Sequence, residues 1–312
     1  MTGTAQLAAA LDVLGQRCRR EEPLGPMTTY RVGGAATAFL TVEHDADLRL
    51  AAEAVGASGV PTLVVGKGSN LLVADAGFRG LAVALGAGYA GVDIDGTLVR
   101  AGGASDLPVL ARRTAGAGLR GLEWAVGVPG SVGGGVRMNA GGHGSDVAAR
   151  LVRVRVFDLA TGQDEVVEAS RLDLGYRHSA VPPTSVVVWA EFVLEPGDPA
   201  AARDEVSSVV RWRRANQPGG QNAGSVFTNP TGDSAGRLVE VAGCKGLRRG
   251  TAQVSTKHAN FIQSDPGGSA DDVAALIAVV QERVREVTGV HLEPEVRMIG
   301  FDDDTPAAGG HS

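Results

Sequence analysis

Short apolar blocks, most of them closed by glycine, recur along this chain, and their period changes from block to block. An opening stretch, MTGTAQLAAALDVLGQRC, reads as an amphipathic helix; ATAFLTV (36–42) then predicts a strand and DADLRLAAEAVGASG (45–59) a helix. VPTLVVG (60–66) is an unbroken apolar run, the pattern of a strand buried on both faces. FRGLAVAL (78–85) and GVDIDGTLVRAG (91–102) predict further strands. DLPVLARRTAGAG (106–118) predicts a helix, with Asp at its start and glycine past its end. LEWAVGVPGSVGGGVRMNAGGHG (122–144) follows no period and predicts a long loop. LVRVRVFDL (151–159), DEVVEA (164–169) and VVVWAEFVL (186–194) alternate as strands do. The pattern shifts at EPGDPAA (195–201). A helix follows in AARDEVSSVVRWRRANQ (201–217), then a Gly/Asn loop, then the helices SAGRLVEVAG and ADDVAALIAVVQERVREVTG among the strands AQVSTKHANFIQ and LEPEVRMIG. This shift predicts a first domain over 1–200, a second over 201–302 and a disordered tail over 303–312.

Composition narrows the function classes. With 29 Lys and Arg against 35 Asp and Glu, the net charge of −6 leaves no footprint for nucleic acid or anionic membrane. The cysteines, Cys18 and Cys244, are too few for a disulfide framework, and the six histidines lack metal-ligand spacing, so no metal is expected. The opening stretch has no basic leader, and Asp12 interrupts its apolar run, so it does not read as an export signal. No run is long enough to span a membrane, which makes the cytoplasm the default location.

The 45 glycines change the picture more than the charge does. GAGYAG (86–91) fits the spacing of a dinucleotide fingerprint, but VDIDGTLV follows it where a helix is required. VPTLVVGKGSN lacks the glycine and the Ser or Thr of a phosphate-binding P-loop, since Pro61 and Gly68 stand there. Two stretches remain: GKGSN (66–70), between apolar strands, and GVPGSVGGG (127–135), followed by MNAG (138–141). Successive backbone N–H groups in glycine turns form anion sites, so two such loops could grip a diphosphate, with Ser69, Asn70 and Asn139 adding hydrogen bonds. Either stretch alone reads equally well as a tight turn.

At these residues a resemblance becomes specific. TTYRVGG (28–34), GKGSNLLV (66–73), GVPGSVGGGVRMNAG (127–141), YRHS (176–179), QNAGSVFTNP (221–230), VSTKHANFI (254–262) and LEPEVRMIG (292–300) resemble, in order, the motif series of the UDP-N-acetylenolpyruvoylglucosamine reductase (MurB) family. The resemblance implies an α+β chain: a two-subdomain FAD-binding fold of the vanillyl-alcohol-oxidase/PCMH type, divided roughly into 1–88 and 89–200, then an α+β substrate-binding domain. It implies noncovalent FAD, NADPH as hydride donor and UDP-N-acetylglucosamine enolpyruvate as substrate. Carried over residue by residue, Gly66, Gly68, Ser69, Asn70, Pro129, Gly130, Ser131, Gly133, Gly134 and Asn139 become flavin-site candidates, and Arg177, Ser225 and Glu295 the catalytic group. Gly135 stands where the family often has alanine, a change expected only to loosen a turn.

The chemistry agrees with that group. Hydride addition to the substrate's enol ether pushes negative charge toward its carboxylate, where Arg177 could meet it with two bonds. Glu295 would have to be protonated to donate there, or act through a neighbour. Ser225 would protonate the enolate. Some relatives clamp the diphosphate with a tyrosine on an extra loop. Here the tyrosines are Tyr30, Tyr89 and Tyr176, so the chain resembles the short-loop branch. Tyr176, Arg213, Arg214, Asn229, Lys245, Arg248 and Lys257 are then candidates for holding the UDP-sugar. Two other readings stay open: a flavin oxidase on the same fold, and a flavin-carrying regulatory protein without catalysis.

Overall fold

The structure, a computed structural model, describes residues 3–301. Its helices are α1 (Gly3–Leu14), α2 (Asp45–Ser58), α3 (Leu107–Gly116), α4 (Val132–Arg137), α5 (Pro199–Asn216), α6 (Ala235–Val241) and α7 (Ala270–Thr288). Two compact units form. One takes the chain up to Glu22, Ala36–Ser69 and Gly80–Gly219; the other takes Pro23–Ala35, Asn70–Arg79 and the chain from Gly220 on.

The first unit has two cores. In one, residues of α1 and α2 pack with strands of a four-stranded sheet, ordered Arg19–Pro23, Ala35–Val42, Phe78–Leu85, Thr62–Val64. Asp47 fixes the start of α2 by accepting from the Glu43 and His44 N–H groups, and Gly59, at φ 65°, closes its end. The other core lies against an antiparallel sheet ordered Asp164–Glu168, Leu151–Asp158, Ser185–Val193, Leu98–Gly102, Val92–Asp95. There Glu191 is buried between Arg153 and Arg100, its partners on the two flanking strands, which pair with both of its carboxylate oxygens.

The second unit packs α6 and α7 around a three-stranded antiparallel sheet, Arg248–Arg249, Ala252–Val254 and Ile262–Ser264. Its core also contains Tyr30, Val32 and Leu72, from early in the chain. Leu71–Val73 pairs in parallel with Arg297–Ile299.

Several expectations are corrected here. The boundary is not near residue 200, because α5 buries Ala202, Val206 and Val209 in the second core of the first unit. Nor is 1–200 all one domain, since 23–35 and 70–79 belong with the chain beyond 220. The division at 88 fails too: Phe157, Leu159, Val186 and Val188 pack with α1 and α2. The stretch 122–144 is no plain loop, for it holds a 3-10 turn (Glu123–Gly127) and α4. GAGYAG forms a 3-10 turn at Ala87–Tyr89 and opens no helix, as its sequence context predicts. The expected tail, 303–312, lies outside the described residues.

Candidate functional site

The two glycine loops meet within the first unit. A Cβ on Gly66 would stand 2.6 Å from the Ser131 Oγ, and one on Gly130 would stand 3.2 Å from the Ser69 Oγ. Their backbones differ in what they can still bind. The N–H groups of Gly66, Lys67 and Gly68 donate to no carbonyl or side chain among the described residues. Gly68 takes φ 57°, the left-handed conformation that glycine allows at no cost. Three consecutive donors left open in such a turn are an arrangement able to hold an anion, and Lys67 adds a cation beside it, ion-paired to Asp106 at 3.0 Å.

In the second loop the donors are already in use. Gly130 N–H donates to Val128 O, Val132 to Ser105 O, Gly133 to Gly103 O, Gly134 to Ser131 Oγ and Gly135 to Ser131 O. Ser131 is thus the N-cap of α4, and the helix has no orphan donor left in its first turn. Gly133 is there for packing: an added Cβ would lie 3.1 Å from both Gly103 O and Val187 O. The expectation that Gly130, Gly133 and Gly134 offer N–H groups to a diphosphate is therefore corrected; of the three, Gly130 lies against Ser69. Gly135 lies inside α4 rather than in a turn.

Two asparagines are likewise reassigned. Asn139 is 2 % exposed, and its Nδ2 donates to Gly175 O and Asp146 Oδ2 while its Oδ1 accepts from Ala148 N–H. Its side chain ties the YRHS turn to the 141–148 segment. Asn70 belongs to the second unit, where its Nδ2 donates to Glu295 O at 2.9 Å.

Arg177 rides at the tip of a tight turn closed by two bonds between Gly175 and His178, 3.1 Å each. Its φ of 56° is uncommon for a residue with a Cβ and marks backbone held under strain. Its Nη2 donates to Gly141 O at 3.2 Å, and its guanidinium lies 5.0 Å from the centre of the exposed Tyr176 ring.

Ser225 and Glu295 come together in the second unit. Glu295 N–H donates to Val226 O at 2.7 Å, one residue past Ser225, and Phe227 bridges Pro294. Gly224, at φ 81°, turns the chain into Ser225, whose hydroxyl bonds to no described residue. Sequence reasoning missed Asn260, which is 4 % exposed and braces this segment. A polar residue between Ala259 and Phe261 in STKHANF was its only signal. Its neighbour His258 has its imidazole pushed below the ordinary range by burial.

The UDP-sugar candidates do not form one set. Arg213 is half-buried against Gly127 without a partner among the described residues, and burial lowers its affinity for a proton. Arg214 is exposed nearby on α5. In the second unit, Lys245 pairs with Glu240 and Arg248 with Asp265, and the exposed Lys257 tips the STKHAN turn, its N–H on Ser255 Oγ. Asn229 Oδ1 accepts from Ala235 N–H, capping α6. An open polar cleft of about 540 Å³ in the first unit, lined by Arg120, Glu123, Trp124, His143, Arg150 and Glu195, contains none of the candidates. Among the described residues no His, Cys, Asp or Glu cluster could hold a metal, and no helix is long and apolar enough to cross a membrane.

Comparison with known proteins agrees with this division. Residues 36–168 match the family described as FAD binding domain, and 216–299 match UDP-N-acetylenolpyruvoylglucosamine reductase, C-terminal domain. A reductase of that name from Rubrobacter xylanophilus is 44% identical over 283 residues, covering 90% of this chain and 94% of the relative. One from Synechococcus sp. (strain WH7803) is 43% identical over 310 residues, covering 96% and 98%. The crystal structure of MurB from Thermus caldophilus superposes with a TM-score of 0.79 at 36% identity, covering 90% of this chain and 99% of that one. A Physcomitrella patens protein titled BBE-like 1 shares the fold alone, with a TM-score of 0.55 at 13% identity. With its α+β architecture and an FAD-binding domain followed by the reductase C-terminal domain, the chain belongs to the UDP-N-acetylenolpyruvoylglucosamine reductase (MurB) family of FAD oxidoreductases.

Proposed function

We propose that this enzyme reduces UDP-N-acetylglucosamine enolpyruvate to UDP-N-acetylmuramate for peptidoglycan synthesis, with noncovalent FAD and with NADPH as reductant. The observation that carries the reading is the frame in the second unit, which holds Ser225, its hydroxyl engaged by no described residue, beside Val226, whose O accepts from the Glu295 N–H. The residues of the first unit fit the cofactor: the GKG turn presents three free N–H groups to a diphosphate, and Gly66 and Gly130 leave room that side chains would fill.

FAD, when bound, supplies the hydride that reaches the terminal carbon of the substrate's double bond. Arg177 meets the substrate carboxylate, where charge collects as the enolate forms. Its strained turn, tied down by Asn139 and Gly141, keeps the guanidinium fixed before the charge arrives, so little reorganisation is needed. Ser225 then gives its hydroxyl proton to the carbon bearing the carboxylate and regains one from solvent. One hydride and one proton have then been added across the double bond. Glu295 supports the same carboxylate end from its place beside Val226.

The test separates the two halves of turnover. In Ser225→Ala, anaerobic bleaching by NADPH stays within a few-fold of wild type, while reoxidation by the enolpyruvyl substrate falls by ~10²–10⁴, the usual contribution of a positioned acid. Equal slowing of both halves would assign Ser225 to pocket structure, and normal reoxidation would assign the proton to another donor.

A further inference from the structure

Asn260 makes more ordered contacts with the Ser225 segment than any residue so far given a role there. Its main-chain O accepts from Val226 N–H at 2.9 Å. Its side chain makes a matched pair of bonds to one residue, Oδ1 accepting from Phe227 N–H at 3.0 Å and Nδ2 donating to Phe227 O at 2.8 Å. An asparagine amide used this way imitates a neighbouring strand: it satisfies a donor and an acceptor of one residue and fixes the plane between them. Asn260 is itself fixed. It is 4 % exposed, its N–H donates to His258 Nδ1 at 3.3 Å, and the turn around it is closed by Phe261 N–H to His258 O and Ser255 N–H to Phe261 O.

On its other side the same segment receives the Glu295 N–H, through Val226 O, while Asn70 Nδ2 holds the Glu295 carbonyl. The two residues following Ser225 are thus gripped from both sides, and Gly224 before it donates its N–H to Asn222 Oδ1 at 3.1 Å. We infer that Asn260 is a positioning residue: it sets the direction of the Ser225 hydroxyl and its distance from Glu295, with Asn70 as its counterpart behind Glu295. This rests on Ser225 as the proton donor.

Since a misplacement near 1 Å can cost about 10²-fold in rate, Asn260→Ala, with FAD bound, lowers reoxidation by the enolpyruvyl substrate by about that factor and leaves bleaching by NADPH unchanged. A merely structural asparagine would instead lower the melting temperature and leave both rates per folded molecule alone. The deciding measurement is the double variant. If Asn260 acts through Ser225, Asn260→Ala adds no further loss of reoxidation in a Ser225→Ala background; independent, multiplying losses overturn the proposal. Should Asn260→Ala not fold, Asn260→Asp serves. Its carboxylate opposes Phe227 O at neutral pH, and its protonated form restores both bonds. Reoxidation by that variant therefore rises, relative to wild type, as pH falls. A flat pH ratio overturns the proposal. Failure of the underlying reading is distinguishable, because Ser225→Ala alone would then reoxidise at the normal rate.

Discussion

GKGSN and GVPGSVGGG look alike as strings, two glycine-rich stretches between apolar segments, yet their backbones do opposite things. The first leaves the N–H groups of Gly66, Lys67 and Gly68 open, while the second commits those of Gly130, Val132, Gly133, Gly134 and Gly135 to its own loop, to Gly103 and Ser105 behind it or to the cap of α4. Glycine in the first loop leaves backbone donors unengaged, which suits close approach by a ligand; in the second it serves close approach by the protein itself. Glycine content therefore marks proximity without saying to what, and only the hydrogen-bond accounting tells the two apart.

The largest expected effect is at Gly68. Val there cannot easily hold φ 57° and puts a branched side chain into the anion turn. FAD affinity should fall by about 10²-fold or more, the value of one or two hydrogen bonds to a charged group, and absorbance of the purified protein measures it. Gly68→Asn sharpens the point, because Asn tolerates the left-handed conformation. A folded Gly68→Asn protein that is nearly colourless would isolate steric approach from backbone strain, and one carrying a full complement of FAD would remove the loop from the site.

Gly133→Ala probes the other side of the comparison. Its Cβ would press on two carbonyl oxygens, so the expected result is a stability loss of about 1–3 kcal/mol in urea titration of the apoprotein, with FAD affinity in folded protein nearly unchanged. A colourless but equally stable variant would mean that the second loop also binds through its backbone. Ser131→Ala removes the N-cap of α4 and should cost about 1 kcal/mol by the same titration. Smallest is Gly135→Ala: helix propensity favours it by about 1 kcal/mol, against a contact of 3.0 Å with the flexible Leu107 Cδ1. Its melting temperature should move little, and a large drop would show that the helix cannot shift.

Much of this was legible in the sequence. The capping signals around α3, the charged turn ahead of α5 and the alternation in 151–159 and 186–194 all mark elements that form. The helix α4 was hidden because three of its six residues are glycine, whose low propensity is overridden by the Ser131 cap and by packing on Gly103 and Leu107. The domain boundary was hidden for another reason. The apolar face of α5 has a helical period that any core could satisfy, and nothing local says that it faces Ala125 and Val126 rather than the chain that follows. Among the candidate site residues, Arg177 and Ser225 stand out by motif. That the amides of Asn70 and Asn139 each donate to a protein carbonyl was not legible, because an asparagine in a glycine-rich loop looks the same whatever its amide faces.

The pairing of Leu71–Val73 with Arg297–Ile299 has a consequence for how the protein is made. At a synthesis rate of roughly 5–20 residues per second, the early strand waits roughly 10–45 s before its partner leaves the ribosome. Through that interval Leu72, Tyr30 and Val32 lack the core they will enter, and an apolar edge is open to pairing with another chain. A fragment beginning near residue 201 would lack that strand altogether, so the second unit cannot be obtained by simple truncation. In the cell the unit can close only after its late strand has been made, and the nascent chain has to be kept from its neighbours until then.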